Sequence, residues 1–418
     1  MITKFDSFTL FGDSADANTI AQMKEYTKNS RFAALMPDNH LGFLAPIGSV
    51  AAYDNAVSVA GVGYDIGCGN CAIRTDVSLE SLTGISHLEI DANPFRLQSN
   101  RMLTDLADSI KRDISFGIGT RNDVSVLSDS DPFWHDAGWW TLPNELRDTL
   151  QILAKRQLGT VGSGNHYVDV LVDENGMLWV GVHFGSRGLG HKIASNVMGL
   201  SVGKNWGEKF GAEVEALLPL DSELGQTYWA LMTIAGRYAF IGREWVTRTV
   251  MAMFGGVEQD IVHNNHNFAW KEQHFGQELV VVRKGATPAF PGQRGFVGGS
   301  MGDDAVILQG TDSPAGIGAL HSTVHGAGRV MSRTAAAGKR HRKTGALIKA
   351  GAVSPVDMKS WLDRRGVILR GAGLDESPQA YRRLPSVLAD AGDTITVLHT
   401  LRPIIVAMAG ADERAGTD

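Results

Sequence analysis

The stretch GNHYVDVLVDENGMLWVGVH, residues 164–183, has the pattern of a β-hairpin. Its two arms are apolar and rich in valine, and Asn175-Gly176 between them is the dipeptide most typical of a tight two-residue turn. A turn at that dipeptide makes His183 the diagonal neighbour of His166, whereas a turn one residue earlier pairs the two histidines directly. Either register predicts both imidazoles on one face of the hairpin. Metal ligation and an ordinary polar role are then the two open interpretations of this pair.

Outside the hairpin, strand and helix patterns alternate without the regular spacing of a parallel β-α-β fold. The predicted strands lie at 50–52, 57–62, 71–75, 277–283 and 305–308. The predicted helices lie at 92–114, 145–156, 228–253 and 328–337. This mixture predicts the α+β class. Because no repeat, low-complexity tract or proline-rich linker divides the chain, we expect a single domain over residues 1–418.

Composition and charge limit the possible functions of the chain. With 418 residues, 43% hydrophobic and 20% charged, it has the balance of a globular protein, and it lacks the apolar runs of a signal peptide or a membrane span, so the cytoplasm is expected. The net charge is −6, but residues 326–383 hold thirteen Lys and Arg against four Asp and Glu, a net of +9. The densest part is KRHRK at 339–343. This basic segment is either a solvated face or a site for a phosphate-rich partner such as RNA.

The polar residues of the glycine-rich loops include an unusual set of potential metal ligands. Cys68 is one of only two cysteines, and it follows Asp65 by three residues in a loop with close glycines. His266 lies in a polar segment between two apolar ones. Together with the hairpin histidines, the set contains one thiolate, one carboxylate and three imidazoles, which exceeds the needs of one tetrahedral ion and suits a pair of cations. Cysteine with histidine favours zinc by softness, but the sequence does not settle the metal.

His325 has a different kind of environment, because it precedes Gly326-Ala327-Gly328 and a segment that reads as a helix from Arg329 onward. Backbone N–H groups at such a loop and helix start would face a phosphate. The histidine is therefore a candidate general base, ligand or covalent nucleophile toward phosphorus. Arg187 and Ser300 lie in further glycine-rich turns and are candidate anion contacts.

The chain resembles the RtcB-type RNA ligase family over residues 36–402. The motifs that carry the resemblance are MPDNHLG at 36–42, DIGCG at 65–69, GNH at 164–166, HFGSRG at 183–188, RKGA at 283–286, GSMG at 299–302 and HGAGRVMSR at 325–333. The resemblance implies an RtcB-like α+β fold, with a central β-sandwich core surrounded by helices. It also implies an enzyme of RNA repair or tRNA splicing that joins RNA 3′-phosphate or 2′,3′-cyclic-phosphate ends to 5′-hydroxyl ends. An archease-like activator and a monomeric state are further expectations.

The resemblance assigns roles residue by residue. Two manganese ions would be held by Asp65, Cys68 and His166 on one side and by Cys68, His183 and His266 on the other, with Cys68 as the bridge. His325 would attack the α-phosphate of GTP and carry GMP to the RNA 3′-phosphate, from which the 5′-hydroxyl then displaces it. The nucleotide-binding residues would be Asn165, Tyr167, Asp169, Asn267, Gly299, Ser300, Met301, Gly326, Ala327, Gly328, Tyr381 and Met408. Arg187 and Arg329 would contact phosphate or RNA.

Three positions depart from the usual family pattern near the nucleotide. Met408 lies where the family usually has a lysine that contacts guanine, Ala305 stands in place of a serine, and Asp169 in place of a glutamate. These departures lead to the hypothesis that histidine nucleotidylation is retained with a relaxed or weakened preference for GTP. Two alternatives to ligation stay open, a metal-dependent RNA phosphodiesterase or phosphatase and a non-catalytic RNA-binding homologue.

Overall fold

The computed structural model describes residues 1–13, 15–210, 214–341, 347–410 and 413. The strands, numbered in chain order, are β1 (Ile2–Lys4), β2 (Thr9–Phe11), β3 (Phe32–His40), β4 (Ile47–Tyr53), β5 (Ala56–Ser58), β6 (Gly69–Ser78), β7 (Tyr167–Val172), β8 (Met177–Phe184), β9 (Leu217–Pro219), β10 (Glu258–Asn265), β11 (Asn267–His274), β12 (Gln277–Lys284), β13 (Ala286–Pro288), β14 (Arg294–Val297), β15 (Ala305–Gly310), β16 (Ser322–Val324), β17 (Gly338–Arg340), β18 (Leu347–Ala350), β19 (Ile368–Ala372) and β20 (Ile395–Gly410). The last part of the basic run predicted at 339–343, residues 342 and 343, lies outside the described residues.

The helices surround these strands. They are α1 (Ala17–Tyr26), α2 (Val59–Val62), α3 (Leu79–Thr83), α4 (Phe95–Ser99), α5 (Arg101–Asp113), α6 (Asn144–Gln157), α7 (Arg187–Ser201), α8 (Glu223–Met253), α9 (Pro314–Gly318), α10 (Arg333–Ala337), α11 (Pro355–Arg365) and α12 (Leu384–Ala391). Short 3-10 helices cover His87–Glu89, Pro132–His135, Ala137–Thr141, Leu374–Glu376, Pro378–Ala380 and Gly392–Thr394. No helix in the described part of the chain is long and apolar enough to cross a membrane.

Two sheets form the centre of the molecule. The first has six strands in the order β1-β2-β3-β4-β12-β11, and the second has the path β10-β6-β8-β7-β20-β15-β14, with β19 added in parallel to β20. The ends of the second path approach each other, because Arg294 of β14 forms an ion pair with Asp260 of β10. The second sheet therefore curls toward closure. Its inner face encloses apolar side chains such as Trp179 and Phe296.

An apolar core joins the two sheets and makes them a β-sandwich. It combines residues of β3, β4 and β12 with residues of β14 and β15, namely Ala34, Met36, Val50, Ala52, Leu279, Val281, Val297, Val306 and Leu308. Burial of such side chains is the main source of stability. The long helix α8 packs against β6 and β8 on another side. The α+β class and the sandwich core surrounded by helices are thus confirmed.

Most predicted elements are confirmed. Segments 145–156 and 228–253 fall within α6 and α8, and the predicted strands at 50–52, 71–75, 277–283 and 305–308 fall within β4, β6, β12 and β15. These segments were predictable because each buries one or all of its faces in an apolar core, which spaces its apolar residues regularly along the sequence.

Two predicted elements differ because a polar side chain caps a helix inside the predicted range. The strand predicted at 57–62 ends at Ser58, whose hydroxyl accepts a hydrogen bond from the N–H of Gly61 and starts α2. The helix predicted at 92–114 is divided into α4 and α5 at Asn100, whose side chain accepts the N–H of Leu103. Serine and asparagine favour helix N-caps because their side chains satisfy N–H groups that the first turn leaves free.

Candidate metal and nucleotide site

The hairpin register differs from both predicted alternatives. Tyr167 pairs with His183 and Val172 with Leu178, so that the connection is a three-residue loop at 174–176. The side chain of Asp173 accepts the N–H groups of Asn175 and Met177, and Gly176 has a φ of 80°, as in a type I turn followed by a bulge. The prediction that His166 and His183 share one strand face was therefore wrong, because this register places Tyr167 beside His183 instead.

His166 and His183 nevertheless converge, by a different route. His166 immediately precedes β7, and the turn before it passes through Gly164 with a φ of 75°. The imidazole centres of His166 and His183 are 5.5 Å apart, and their Nε2 atoms lie 3.8 and 3.7 Å from the Sγ atom of Cys68. His166 therefore reaches Cys68 from the position just before β7, not from a face of that strand.

Arg243 of α8 holds together the backbone segments that carry the ligands. Its guanidinium is fully buried and donates to the carbonyl oxygens of Gly67 and Phe184, at 2.7 and 2.6 Å, and to the side chain of Asn265 at 2.5 Å. These three acceptors belong to the cysteine loop, the end of β8 and the end of β10. One buried cation therefore fixes the relative positions of Cys68, His183 and His266.

The predicted ligands form what we call the ligand cluster, consisting of Asp65, Cys68, His166, His183 and His266. Two triads within it have ligand atoms all within 4.8 Å of one another: Asp65 with Cys68 and His166, and Cys68 with His183 and His266. Cys68 belongs to both triads. The Oδ2 atom of Asp65 lies 3.1 Å from Nε2 of His166, and the rings of His183 and His266 are 5.0 Å apart.

A neighbouring amide orients His183. Asn70 pairs with His183 between β6 and β8. Its Oδ1 atom lies 2.7 Å from Nδ1 of His183. An Nδ1–H donated to this oxygen leaves the Nε2 lone pair directed at Cys68. This is how residues behind a metal ligand usually select its tautomer.

The electrostatics of the ligand cluster suit a bound cation. Burial raises the pKa of the Cys68 thiol, and the charge of Asp65 raises it further. Burial lowers the pKa values of His166, His183 and His266, which leaves these imidazoles neutral at pH 7. Burial alone would raise the pKa of Asp65, but the hydrogen bond with His166 and other favourable interactions outweigh it and lower that pKa to about 2. A divalent cation would supply the positive charge that a buried thiolate beside a carboxylate requires.

His325 lies at the other side of His266, with their ring centres 5.0 Å apart. Its Nδ1 atom is 2.6 Å from Oδ2 of Asp38, a carboxylate that is fully buried in β3. The same oxygen accepts the backbone N–H groups of His325 at 2.9 Å and Gly326 at 3.2 Å. The Nδ1 contact is close in distance but does not have the angle of a hydrogen bond.

One cavity of about 260 Å³ contains almost every predicted residue of the site. The ligand cluster and His325 line it together with all the predicted nucleotide-binding residues, namely Asn165, Tyr167, Asp169, Asn267, Gly299, Ser300, Met301, Gly326, Ala327, Gly328, Tyr381 and Met408. Tyr167, Met301, Val406 and Met408 pack together as one apolar part of its surroundings. Beside them, the buried Oδ1 atom of Asp169 and the hydroxyl of Tyr167 have no hydrogen-bond partner among the described residues.

Arg329 lines the cavity, but the helix predicted to start there is wrong. The helix α10 begins only at Arg333, where the hydroxyl of Ser332 caps it by accepting the N–H of Ala335. The loop after His325 therefore offers no helix N-terminus to a phosphate. The guanidinium of Arg329 is 3.1 Å from a carboxylate oxygen of Glu376 and donates to the Tyr381 hydroxyl at 2.8 Å. It positions Tyr381 while its charge is balanced by Glu376.

Two residues singled out from the sequence are not among those that line the cavity. Arg187, predicted as a phosphate or RNA contact, donates to the carbonyl oxygen of Gly117 at 3.0 Å and lies 3.3 Å from the Thr160 hydroxyl. In this position it braces the backbone behind His166. Ala305, one of the three departures, is buried in the core of the second sheet.

The residues that sequence reasoning missed are Asp38, Asn70 and Arg243, which act behind the ligands. Two of them could have been noticed in the sequence. Asp38 lies inside the MPDNHLG motif, and Arg243 is a charged residue within the largely apolar helix α8. Asn70 is only two residues from Cys68. Nothing in the sequence, however, pairs any of them with its partner, since the partners are distant in the chain.

Comparisons with known proteins identify the family of the chain. The family described as "tRNA-splicing ligase RtcB" matches residues 16–409. The chain is 30% identical to the "RNA-splicing ligase RtcB" of Escherichia coli K12 over 399 residues, covering 89% of this chain and 88% of that protein. It is 32% identical to the "tRNA-splicing ligase RtcB" of Archaeoglobus fulgidus, covering 89% of this chain and 86% of that protein. With a family match over nearly its whole length, the chain belongs to the RtcB family.

Proposed function

We propose that this protein is an RNA ligase that joins a 3′-phosphate or 2′,3′-cyclic-phosphate RNA end to a 5′-hydroxyl end, using GTP and two manganese ions. The observation that carries the proposal is the position of His325 in one cavity with a cluster of cysteine, histidine and aspartate ligands. The names of the relatives, which are RNA-splicing and tRNA-splicing ligases, support the same activity.

The ligand cluster fits two divalent cations that share Cys68. Asp65 and His166 would complete one set, and His183 and His266 the other. The Nε2 atoms of His166 and His183 face the Cys68 sulfur at 3.8 and 3.7 Å. Bound cations would neutralise the charge that develops on phosphate oxygens during transfer.

His325 is suited to be the nucleophile that carries the nucleotide. With Nδ1 facing the Asp38 carboxylate, its Nε2 lone pair is available to attack. We propose that Nε2 forms a bond to the α-phosphorus of GTP while the bond to the bridging oxygen breaks and pyrophosphate leaves. An oxygen of the RNA 3′-phosphate then takes the GMP group, which restores the imidazole. This converts a poor electrophile into one with a good leaving group.

The base of the nucleotide would lie in the part of the cavity formed by Tyr167, Met301 and Met408. The apolar and aromatic walls suit the faces of a purine, and Asp169 is a polar group at its edge. Met408 offers no hydrogen bond to the base. We therefore propose that nucleotidylation is retained with a relaxed or weakened preference for GTP.

The decisive experiment is to look for a covalent nucleotide on His325. The purified protein is incubated with Mn²⁺ and each labelled NTP, and the modified peptide is identified by mass spectrometry. Wild type should carry a nucleotide on His325, and His325→Ala should carry none and should not ligate. A metal-dependent phosphodiesterase would instead open cyclic phosphate ends equally well in both proteins, without any covalent nucleotide. A non-catalytic RNA-binding protein would bind RNA without metal and form no product.

A further inference from the structure

The structure has a second cavity, of about 510 Å³. We call it the Tyr64 groove. One wall is the exposed side of α7, which contributes His191 and Lys192, and the other is the segment at 207–210. Phe43 and Tyr64 form its inner end.

The Tyr64 groove is continuous in the chain with the ligand cluster. Tyr64 directly precedes Asp65, which lines the first cavity. Phe43 lies three residues after His40, another residue of the first cavity. The groove and the ligand cluster are thus lined by consecutive residues of one loop.

The inner end of the groove is aromatic. The ring of Tyr64 is 5.1 Å from that of Phe43 and stacks on the imidazole of His191, with centres 5.0 Å apart and planes at 24°. His191 is exposed and Tyr64 half-buried. Exposed stacked rings of this kind form platforms for nucleobases of single strands, because every base has a flat π-face.

The walls of the groove carry positive charge. Lys192 and Lys209 are exposed, and neither ammonium group has an ion-pair partner within the described part of the chain. Among the described residues of the groove, the carboxylate is that of Glu208, which is balanced by Lys204 at 3.0 Å. Asn196 of α7 accepts the N–H of Gly207 and so fixes the second wall against the first. Free cations next to aromatic rings suit the phosphates and bases of single-stranded RNA.

The position of the groove relative to His325 decides which RNA end it suits. The imidazoles of His325, His266, His183 and His166 follow one another at centre distances of 5.0, 5.0 and 5.5 Å, and Asp65 contacts the last of them. In this succession of neighbouring side chains His325 comes first and Asp65 last. Tyr64, which lines the groove, directly precedes Asp65 in the chain.

We propose that the Tyr64 groove binds the RNA strand that ends in the 5′-hydroxyl. This inference rests on the proposed function. In the joining step the 5′-hydroxyl oxygen forms a bond to the 3′-phosphorus, the bond from that phosphorus to GMP breaks, the electron pair leaves with GMP, and the hydroxyl proton passes to solvent. Attacking and leaving oxygens in such a displacement are roughly in line. Since GMP arrives from His325, the attacking strand would enter beside Asp65, the residue that follows Tyr64 of the groove.

The test measures RNA binding directly, so that its result does not depend on ligation. Wild type and the double variant Lys192→Gln/Lys209→Gln are titrated with two short single-stranded RNAs, one with a 5′-hydroxyl and a blocked 3′ end, the other with a 3′-phosphate and a 5′-phosphate. We expect the double variant to bind the 5′-hydroxyl strand about tenfold more weakly, with the slope of log K against log salt reduced by about 1.4 for two lost phosphate contacts. His191→Ala should weaken the same strand about fivefold or more through lost stacking.

Three controls make the outcome decisive. Lys4→Gln, at an exposed lysine of β1 outside both cavities, should bind both strands as wild type does. Lys192→Arg/Lys209→Arg should retain affinity, because the charge is kept. Nucleotide attachment to His325, measured without RNA, should be unchanged in every groove variant.

Unchanged binding of the 5′-hydroxyl strand by the Gln variant would overturn the proposal, and so would an equal loss for both strands. Failure of the proposed function would appear separately, as a wild-type protein that attaches no nucleotide.

Discussion

The proposed nucleophile depends on Asp38, and the substitution Asp38→Asn tests that dependence. The Oδ2 atom of Asp38 lies 2.6 Å from Nδ1 of His325 and accepts the N–H groups of His325 and Gly326. An asparagine oxygen can still accept both backbone N–H groups. The substitution therefore keeps the loop in place and removes mainly the negative charge that faces the imidazole.

The size of the effect follows from the kind of contact that is lost. Phosphoryl transfer to Nε2 makes the imidazole of His325 positive, and the Asp38 carboxylate, fully buried, stabilises that charge at 2.6 Å. When the ring turns during transfer so that Nδ1–H points at this carboxylate, the resulting hydrogen bond to a charged group contributes about 1.5–3 kcal/mol. Loss of this contribution in the transition state slows nucleotide attachment about 10- to 150-fold. An amide nitrogen turned toward Nδ1 would slow it further, because the ring proton would then lie on Nε2.

The assay is single-turnover transfer of labelled nucleotide to the protein in Mn²⁺, with the covalent product quantified over time. Thermal unfolding and Mn²⁺ titration of Asp38→Asn verify that the fold and the ligand cluster are intact. Asp105→Asn, at an exposed carboxylate of α5, is the matched control and should react as wild type does. If a folded Asp38→Asn protein attaches nucleotide at the wild-type rate, Asp38 does not orient His325.

Three further predictions concern the rest of the site. Cys68→Ser should lower Mn²⁺ affinity about 100-fold or more in calorimetric titration, because Cys68 belongs to both ligand triads, whereas Cys71→Ser should retain the affinity. Arg243→Met should lower the free energy of unfolding by about 3 kcal/mol or more in urea, since three buried acceptors lose their donor. Met408→Lys should raise selectivity for GTP over the other NTPs in the transfer assay; a strictly GTP-selective wild type with normal affinity would refute relaxed preference.

The members of the site could be found in the sequence, but their arrangement could not. The residues Cys68, His166 and His183 stand out because a thiol and imidazoles beside glycine loops are few and chemically distinctive. The hairpin predicted the two histidines on one strand face, yet a three-residue turn at 174–176 shifts the register by one residue. A one-residue shift reverses which side chains share a face, so that no local pattern could place His166 correctly.

The residues behind the ligands depended entirely on the tertiary structure. Asp38 and His325 are 287 residues apart in the chain, yet one oxygen of the carboxylate accepts the backbone N–H of the histidine. Arg243 joins the cysteine loop to the end of β8, which precedes Arg243 in the chain, and to the end of β10, which follows it. Contacts between distant residues arise from packing of whole elements, which local propensity does not encode.

The sequence by itself therefore determined the fold class, the long elements α6 and α8 and the chemical inventory of the site. These follow from periodic burial and from side-chain chemistry, which are local properties. Only the tertiary structure decided that the loop after His325 is held by Asp38 rather than by a helix N-terminus, and that Arg187 braces backbone instead of contacting the cavity. It also decided that the aromatic Tyr64 and the exposed Lys192 and Lys209 line one groove. Each of these depends on which distant segments the two sheets and α8 bring into contact.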